Sequence, residues 1–398
     1  MHVLTCLQPG PFLFFRVADS VQAVRRCLVG GNVRVVMCLP RCRFLKDDQI
    51  MKFTINPVSN ALDAALLDKI DNKTKPLGSL GQLEKIAFRI GRIQNTLSPM
   101  LNNPHVLIFA GDHGAAKAGI SAYPQDVSWQ MVENYLQGGA GANVFSRQHG
   151  LKMVVVDAGV AHEFGEREGL INAKISPTGT RNYLVEPAMT REQCELAIER
   201  GAGFARAAIA DGCNIIGLGE KGIGNTGSAS LITHYLTGAP LTECVGRGTG
   251  LDDAGLAHKR ALMQQAIDRA QLPADAEVMA VLMEFGGFEI VMMVGAYLAA
   301  AEAGVTIMAD GVIATSALLA AVRLAPNVLD YVIFCHKSAE AGHAVQLRVL
   351  NADPILDIGM RLGEGTGVMV TYPLFCSAIA FMNEMASFDS AGVSKKIR

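Results

Sequence analysis

The chain is poor in charge and in aromatic rings. Of its 398 residues, 18% are charged and 6% aromatic, with a single tryptophan. Low charge beside 50% hydrophobic residues excludes a disordered chain, which needs low hydrophobicity and high net charge. The formal net charge of −2 leaves no basic field for nucleic acid or anionic lipid, so neither is an expected partner. Long apolar runs are missing too. The longest strongly apolar stretch, Ile290 to Ala301, ends at Glu302. It falls short of the roughly 20 residues of a membrane span. The nine cysteines are scattered, and an odd number does not suggest a disulfide framework. Cys38 and Cys42 form a C-x3-C pair, but no second pair or histidine cluster completes a zinc site. No metal is therefore expected. Reduced thiols in a cytoplasmic protein are.

Glycine is abundant. The 41 glycines have no collagen period and cluster between apolar runs, as the tight loops of an enzyme do. The first 50 residues differ in character, with Arg16, Arg25, Arg26, Arg34, Arg41, Arg43 and Lys46 against Asp19, Asp47 and Asp48. Two readings stay open. One is an Arg-rich, acid-poor targeting peptide. The other is an extension upstream of a start at Met51, non-native or disordered and without a role in the fold. The expected division is an extension over 1–50, a helical segment over 51–100, an α/β catalytic domain over 101–370 and a C-terminal helix over 371–398.

From Met51 the pattern is that of a folded protein. Asn60 is placed to cap a helix with apolar Leu62, Ala65, Leu66 and Ile70, and Gln82 to Ile93 predicts a second helix. Short apolar strands then alternate with helices. The strands are expected at His105–Ala110, Met153–Val156, Asn214–Leu218, Val305–Ala309 and Tyr331–Cys335, and helices at Gln125–Gln137 and Arg191–Ala210. Continuously apolar strands between helices predict a Rossmann-like parallel sheet covered on both faces. Ligands bind such sheets beyond the carboxyl ends of the strands, and the polar clusters fall there.

Five clusters carry candidate chemistry. Gly219 to Thr226 is a glycine loop opening a helix, which suits a phosphate cradle or a plain tight turn. It is neither a Walker A sequence nor G-x-G-x-x-G, so ATP and NAD are not indicated and no cofactor is expected. Glu220 is unusual beside an anion. It suits a ribose hydroxyl or proton transfer. Val245 to Gly250 with Lys259 is a second glycine turn with a cation, again suited to phosphate or carboxylate. Asp112 and His113 follow a strand, as a hydrogen-bonded pair or a wall of the site. Glu364 stands between Gly363 and Gly365. It is either an exposed loop glutamate or a carboxylate presented into a pocket as a general base. Glu284 to Glu289 opens an apolar helix. Its phenylalanines could wall a flat ligand, or Glu289 could merely favour the helix dipole.

Together these segments resemble one family, the nicotinate-nucleotide:dimethylbenzimidazole phosphoribosyltransferases of cobalamin biosynthesis. The resemblance rests on Lys75-Pro-Leu-Gly-Ser-Leu-Gly-Gln-Leu-Glu84, Ala110-Gly-Asp-His-Gly114, Ser121-Ala-Tyr-Pro124, Gly138-Gly-Ala-Gly141, Gly219-Glu-Lys-Gly-Ile-Gly-Asn-Thr226, Phe285-Gly-Gly-Phe-Glu289, Asp310-Gly311, Ser338-Ala-Glu340 and Arg361-Leu-Gly-Glu-Gly-Thr-Gly367. These motifs span about residue 55 to residue 385.

The resemblance implies transfer of the 5-phosphoribosyl group from nicotinate mononucleotide to 5,6-dimethylbenzimidazole, giving α-ribazole 5′-phosphate and nicotinate. It implies Glu364 as general base. It also places Glu220, Gly222, Asn225 and Thr226 on the mononucleotide, with Lys259 as a ligand-binding lysine. Tyr123 and Gln130 would wall the base pocket, and Gly363 and Gly365, on either side of the catalytic residue, would be substrate-binding. It further implies no metal, a small helical domain built from both chain ends, and a homodimer. Two rival readings are a related transferase or phosphorylase acting on another base, and a non-catalytic nucleotide-binding protein.

Overall fold

The strand at His105–Gly111 is apolar on both of its faces because both are covered. The computed structural model describes residues 26–29, 32–35 and 53–394. Two units divide the chain, Met1–Ile50 and Met51–Arg398. In the first, the described strands Arg26–Val29 and Asn32–Val35 pair antiparallel. The expectation of an extension without structure, and the Cys38–Cys42 pair, otherwise fall outside the described residues.

The second unit is built on six parallel strands. We number them β1 (His105–Gly111), β2 (Lys152–Gly159), β3 (Leu170–Asn172), β4 (Ile215–Lys221), β5 (Thr306–Ala309) and β6 (Val332–Phe334). Their spatial order is β3-β2-β1-β4-β5-β6, with every pairing parallel. The order reverses between β1 and β4, and a crevice opens beyond the carboxyl ends at such a point. The five expected strands are present. β3 is an additional edge strand, half exposed and too short for its residues to show a pattern.

The helices used below are α1 (Asp63–Asp71), α2 (Gln82–Ile93), α3 (Val127–Leu136), α4 (Arg191–Ala210), α5 (Asn225–Thr237), α6 (Asp253–Ala270), α7 (Phe288–Glu302), α8 (Val312–Leu324) and α9 (Thr366–Glu384). Alternation along β1 sorts them into two layers. Leu107 and Phe109 point into a core with α4, α5, α7 and α8. Val106, Ile108 and Ala110 point into a second core with Leu66 and Ile70 of α1, Ile86 and Ile90 of α2, and Phe375 and Met382 of α9. Each such leucine or isoleucine contributes about 1.5–3 kcal/mol on full burial. Helices from the two ends of this unit thus share one layer, as the helical part of the expected fold requires.

Two expectations need correction. α1 begins at Asp63 after a turn, so Asn60 accepts the Asp63 N–H with its backbone carbonyl (3.1 Å), and its side chain does not cap the helix. And the apolar stretch at 290–301 is not the one that matters for a membrane. Among the described residues α9 is the helix long and apolar enough to cross one, by length and composition alone. Half of its apolar window is buried, with Val368, Met369 and Phe375 in the second core. That is the environment of a core helix.

α4 and α7 cross with their backbones in contact. A Cβ at Gly201 would collide with the Met292 carbonyl, and one at Gly295 with the Ile198 carbonyl. Neither carbonyl can move without breaking its helix. Gly295→Ala should therefore lower stability by about 1–3 kcal/mol. Urea unfolding reads this as a lower midpoint at unchanged slope. A wild-type midpoint would mean the crossing tolerates a methyl group.

Candidate active site

β4 is apolar until Gly219 and then ends in two charges, Glu220 and Lys221, in register with Phe109 and Ala110 of β1. The chain turns through Gly222 to Gly224, where φ reaches +94°, and starts α5. The open end of that helix offers N–H groups and the positive end of its dipole. A cavity of about 630 Å³ that includes open solvent lies at this point. β4 and the start of α5 contribute Glu220, Lys221, Gly222, Asn225 and Thr226 to its wall. Asp310 follows β5, Glu340 lies beyond β6, and Arg361, Gly363 and Glu364 close the other side.

Glu364 is 3% exposed. It sits at the middle of three successive left-handed residues, Gly363, Glu364 and Gly365, with φ of +76°, +61° and +70°. Glycine adopts that conformation freely. A glutamate there costs on the order of 1–2 kcal/mol, so the turn has to be held from outside. Asp310 does this. Its Oδ2 accepts the Gly365 N–H (3.0 Å) and its Oδ1 the Gly367 N–H (2.9 Å), where α9 begins. A carboxylate at a helix start is favoured by the free N–H groups and the dipole. Residue 367 must be glycine, since a Cβ would overlap the His336 ring and the Asp310 carboxylate.

The side chain of Glu364 meets a cation. Lys221 Nζ lies 3.1 Å from its Oε1. Glu220 stands next to the pair. Its Oε1 accepts the Glu364 N–H at 3.4 Å, and its Oε2 accepts from Asn225 Nδ2. Burial pushes the Glu220 carboxyl up to about 8. Lys221 opposes the shift, while Glu289 and Glu364 add to it. Glu220 therefore holds a proton at neutral pH. Burial and the same two carboxylates, Glu364 and Glu220, push the Tyr135 hydroxyl on α3 well above its ordinary range.

Lys259, on α6, is fully buried. Its Nζ donates to Thr226 Oγ1 (2.8 Å) and to the Gly246 carbonyl (3.3 Å). Burial lowers its amine to about 8, against the attraction of Glu340. Glu340 Oε2 in turn accepts the Gly248 N–H (3.1 Å). The two glycine-rich loops thus meet at the Thr226–Lys259 contact. Behind the first loop lies a buried ion pair. His113 Nε2 is 2.6 Å from Glu289 Oε1, and its Nδ1 is 3.0 Å from Ser228 Oγ. Burial presses the imidazole down, but Glu289, joined by Asp112 and Glu220, outweighs it and the net direction is up.

The structure gathers Glu220, Gly222, Asn225, Thr226, Gly363 and Glu364 around the cavity, and Lys259 touches Thr226 from behind. Gly365 supports the turn through its N–H and is not part of the wall. Tyr123, 53% exposed, and Gln130 also lie outside the wall. Their segment connects to it where Ser121 Oγ meets Thr249 Oγ1 (3.2 Å). His113 does not pair with Asp112, whose Oδ2 accepts the Ala161 N–H (2.8 Å). Phe285 and Phe288 are buried core residues and form no aromatic wall. Lys221, Asp310 and the His113–Glu289 pair were not assigned these contacts from the sequence. The available signal was a charged residue at the carboxyl end of an apolar strand.

Similarity to known proteins agrees with this geometry. A family model described as a phosphoribosyltransferase matches residues 55–393. A protein of Dechloromonas aromatica, named nicotinate-nucleotide–dimethylbenzimidazole phosphoribosyltransferase, is 62% identical over 345 residues, covering 86% of this chain and 99% of its own length. One of the same name from Aromatoleum aromaticum is 54% identical, covering 87% of this chain and 100% of its own. The crystal structure of CobT from Thermus thermophilus superposes with a TM-score of 0.81 at 39% identity, covering 84% of this chain and 99% of its own. The chain belongs to the nicotinate-nucleotide–dimethylbenzimidazole phosphoribosyltransferase family.

Proposed function

We propose that the chain transfers the 5-phosphoribosyl group of nicotinate mononucleotide to 5,6-dimethylbenzimidazole, with Glu364 as general base. One observation carries the reading beyond its relatives' names. A buried carboxylate on a turn held open by Asp310 faces the same cavity as a glycine loop and a helix start suited to phosphate.

The chemistry follows from what the cavity offers. One ring nitrogen of the benzimidazole attacks the anomeric carbon of the ribose as the C–N bond to nicotinate breaks. The bonding pair leaves with the nicotinate nitrogen, which was cationic and becomes neutral. Direct displacement inverts the carbon from β to α. The other ring nitrogen loses its proton to the Glu364 carboxylate, so no positive charge builds up on the new nucleoside. A general base of this kind contributes typically 10²–10⁴-fold. Asn225 and Thr226, with the start of α5 and the Lys259 ammonium, are the proposed seat of the mononucleotide. Glu220, protonated at neutral pH, donates a hydrogen bond there without adding a second negative charge.

Other parts of the expected picture belong to the same proposal. A small domain over 51–100 and 371–398 beside a catalytic domain over 101–370 is supported by the shared core of α1, α2 and α9. Tyr123 and Gln130 as an outer wall for the base are supported by the Ser121–Thr249 contact. The cytoplasmic assignment is supported by free thiols at Cys194, Cys213, Cys244 and Cys335. The homodimer rests on the family resemblance.

Two outcomes are expected. Glu364→Gln keeps the shape and loses the base, so kcat should fall roughly 10²–10⁴-fold while the protein still unfolds cooperatively. Chromatography of nicotinate and α-ribazole phosphate reads it, and undiminished turnover would remove Glu364 from the mechanism. Lys259 supplies a pH signature. Its amine is charged below about 8 and neutral above, so anion binding weakens as pH rises through that value. The KM for the mononucleotide should rise above about pH 8. Lys259→Ala should raise that KM more than it lowers kcat and abolish the pH-dependent rise. A KM in the variant equal to wild type would sink this assignment.

A further inference from the structure

Lys221 is not needed by the reading above, yet it occupies the centre of the site. It is the last residue of β4, and its side chain is 17% exposed against 4% for Glu364. Among the described residues it is the cation in ion-pair contact with the Glu364 carboxylate, at 3.1 Å. The other charged or titratable groups around Glu364 come from several elements. Glu220 from β4 is bound to Asn225, and Asp310 beyond β5 holds the turn's N–H groups and lies 3.2 Å from His336 Nε2. Arg361, from the same loop as Glu364, donates to the Gly248 carbonyl at 3.3 Å. Tyr135, from α3, faces Glu364 with its buried hydroxyl, which stays neutral because burial and that carboxylate push it well above its ordinary range.

We propose that Lys221 is a positioning residue for the general base. Its ammonium aims the Glu364 carboxylate into the cavity and keeps it ready to accept a proton. The inference rests on the reading of Glu364 as that base. The physical argument has two parts. A carboxylate within contact of a cation prefers its ionised form. A buried charge stripped of its partner is costly, so without Lys221 this carboxylate would take up a proton or turn away. Glu220 makes the need sharper. It is a second carboxyl group against the same turn, and crowding two carboxyl groups favours protonation of one of them. Lys221 makes its ion-pair contact with Glu364, and its pull on the Glu220 carboxyl is outweighed there by burial.

The test compares Lys221→Met, Lys221→Arg and Glu364→Gln with wild type, measuring kcat/KM for dimethylbenzimidazole from about pH 5 to 9. Lys221→Met should move the acidic limb upward by roughly one unit, the low end of an ion-pair effect. Activity on the acidic side of the wild-type limb then falls by up to about tenfold and returns toward wild type at high pH. Lys221→Arg should leave the limb near its wild-type position. If Lys221→Met does not melt cooperatively, Lys221→Gln takes its place. A neutral variant whose profile superimposes on wild type overturns the proposal. So does a loss by the same factor at every pH, which is the mark of a merely structural lysine. Glu364→Gln separates the two levels. If it is inactive, an unmoved limb overturns only the role of Lys221. If it turns over like wild type, both the base and its positioning residue fall together.

Discussion

Asp310 holds two backbone N–H groups of the turn that carries Glu364, and the site depends on that grip. Three left-handed residues in a row, one of them a glutamate, do not persist unaided. The carboxylate at the end of β5 satisfies Gly365 and Gly367 together and so ties the beginning of α9 to the sheet. Distance in sequence is bridged by distance in space. Asp310 and Gly365 are 55 residues apart, Lys221 and Glu364 are 143 apart, and the strand order brings them to one crevice. Because α9 also packs into the core shared with α1 and α2, the position of the base is linked to the helical layer built from both ends of the folded unit.

The site sorts its carboxyl groups by environment. Glu220 is buried and held neutral near physiological pH. Glu289 is buried but paired with His113 beneath the glycine loop. Glu364 faces the cavity and meets the Lys221 ammonium. Three glutamates in one neighbourhood thus do different work, as paired titratable groups do when their surroundings push them apart. A single cation added or removed would redistribute charge among them.

Much of the fold was legible in the sequence. Parallel strands covered on both faces must be apolar throughout, and that is how β1, β2, β4, β5 and β6 read. β3 was not legible because three half-exposed residues carry no pattern. The start of α1 was misplaced because Asn60 offers its backbone and not its side chain. In the site, Glu364 stood out because glycines on both sides announce a tight turn. The phenylalanines near Glu289 misled, since an aromatic pair beside a helix start looks the same whether it faces a ligand or the core. Lys221 and Asp310 could be seen as charges at strand ends, but their partners lie on a turn that sequence order does not bring near. Tyr123 and Gln130 matched a motif, yet they lie outside the cavity wall.

In the proposed mechanism the Asp310-held turn presents the Glu364 carboxylate to the acceptor base, over a mononucleotide seated on the start of α5. A crystal structure of the Glu364→Gln protein with nicotinate mononucleotide and dimethylbenzimidazole tests it most directly, because the variant would trap both substrates unreacted. The residue 364 side chain should lie within hydrogen-bond reach of one ring nitrogen. The other ring nitrogen should face the anomeric carbon, with the phosphate against Thr226 and the N–H groups of α5. A base bound elsewhere, or a phosphate away from α5, would contradict it.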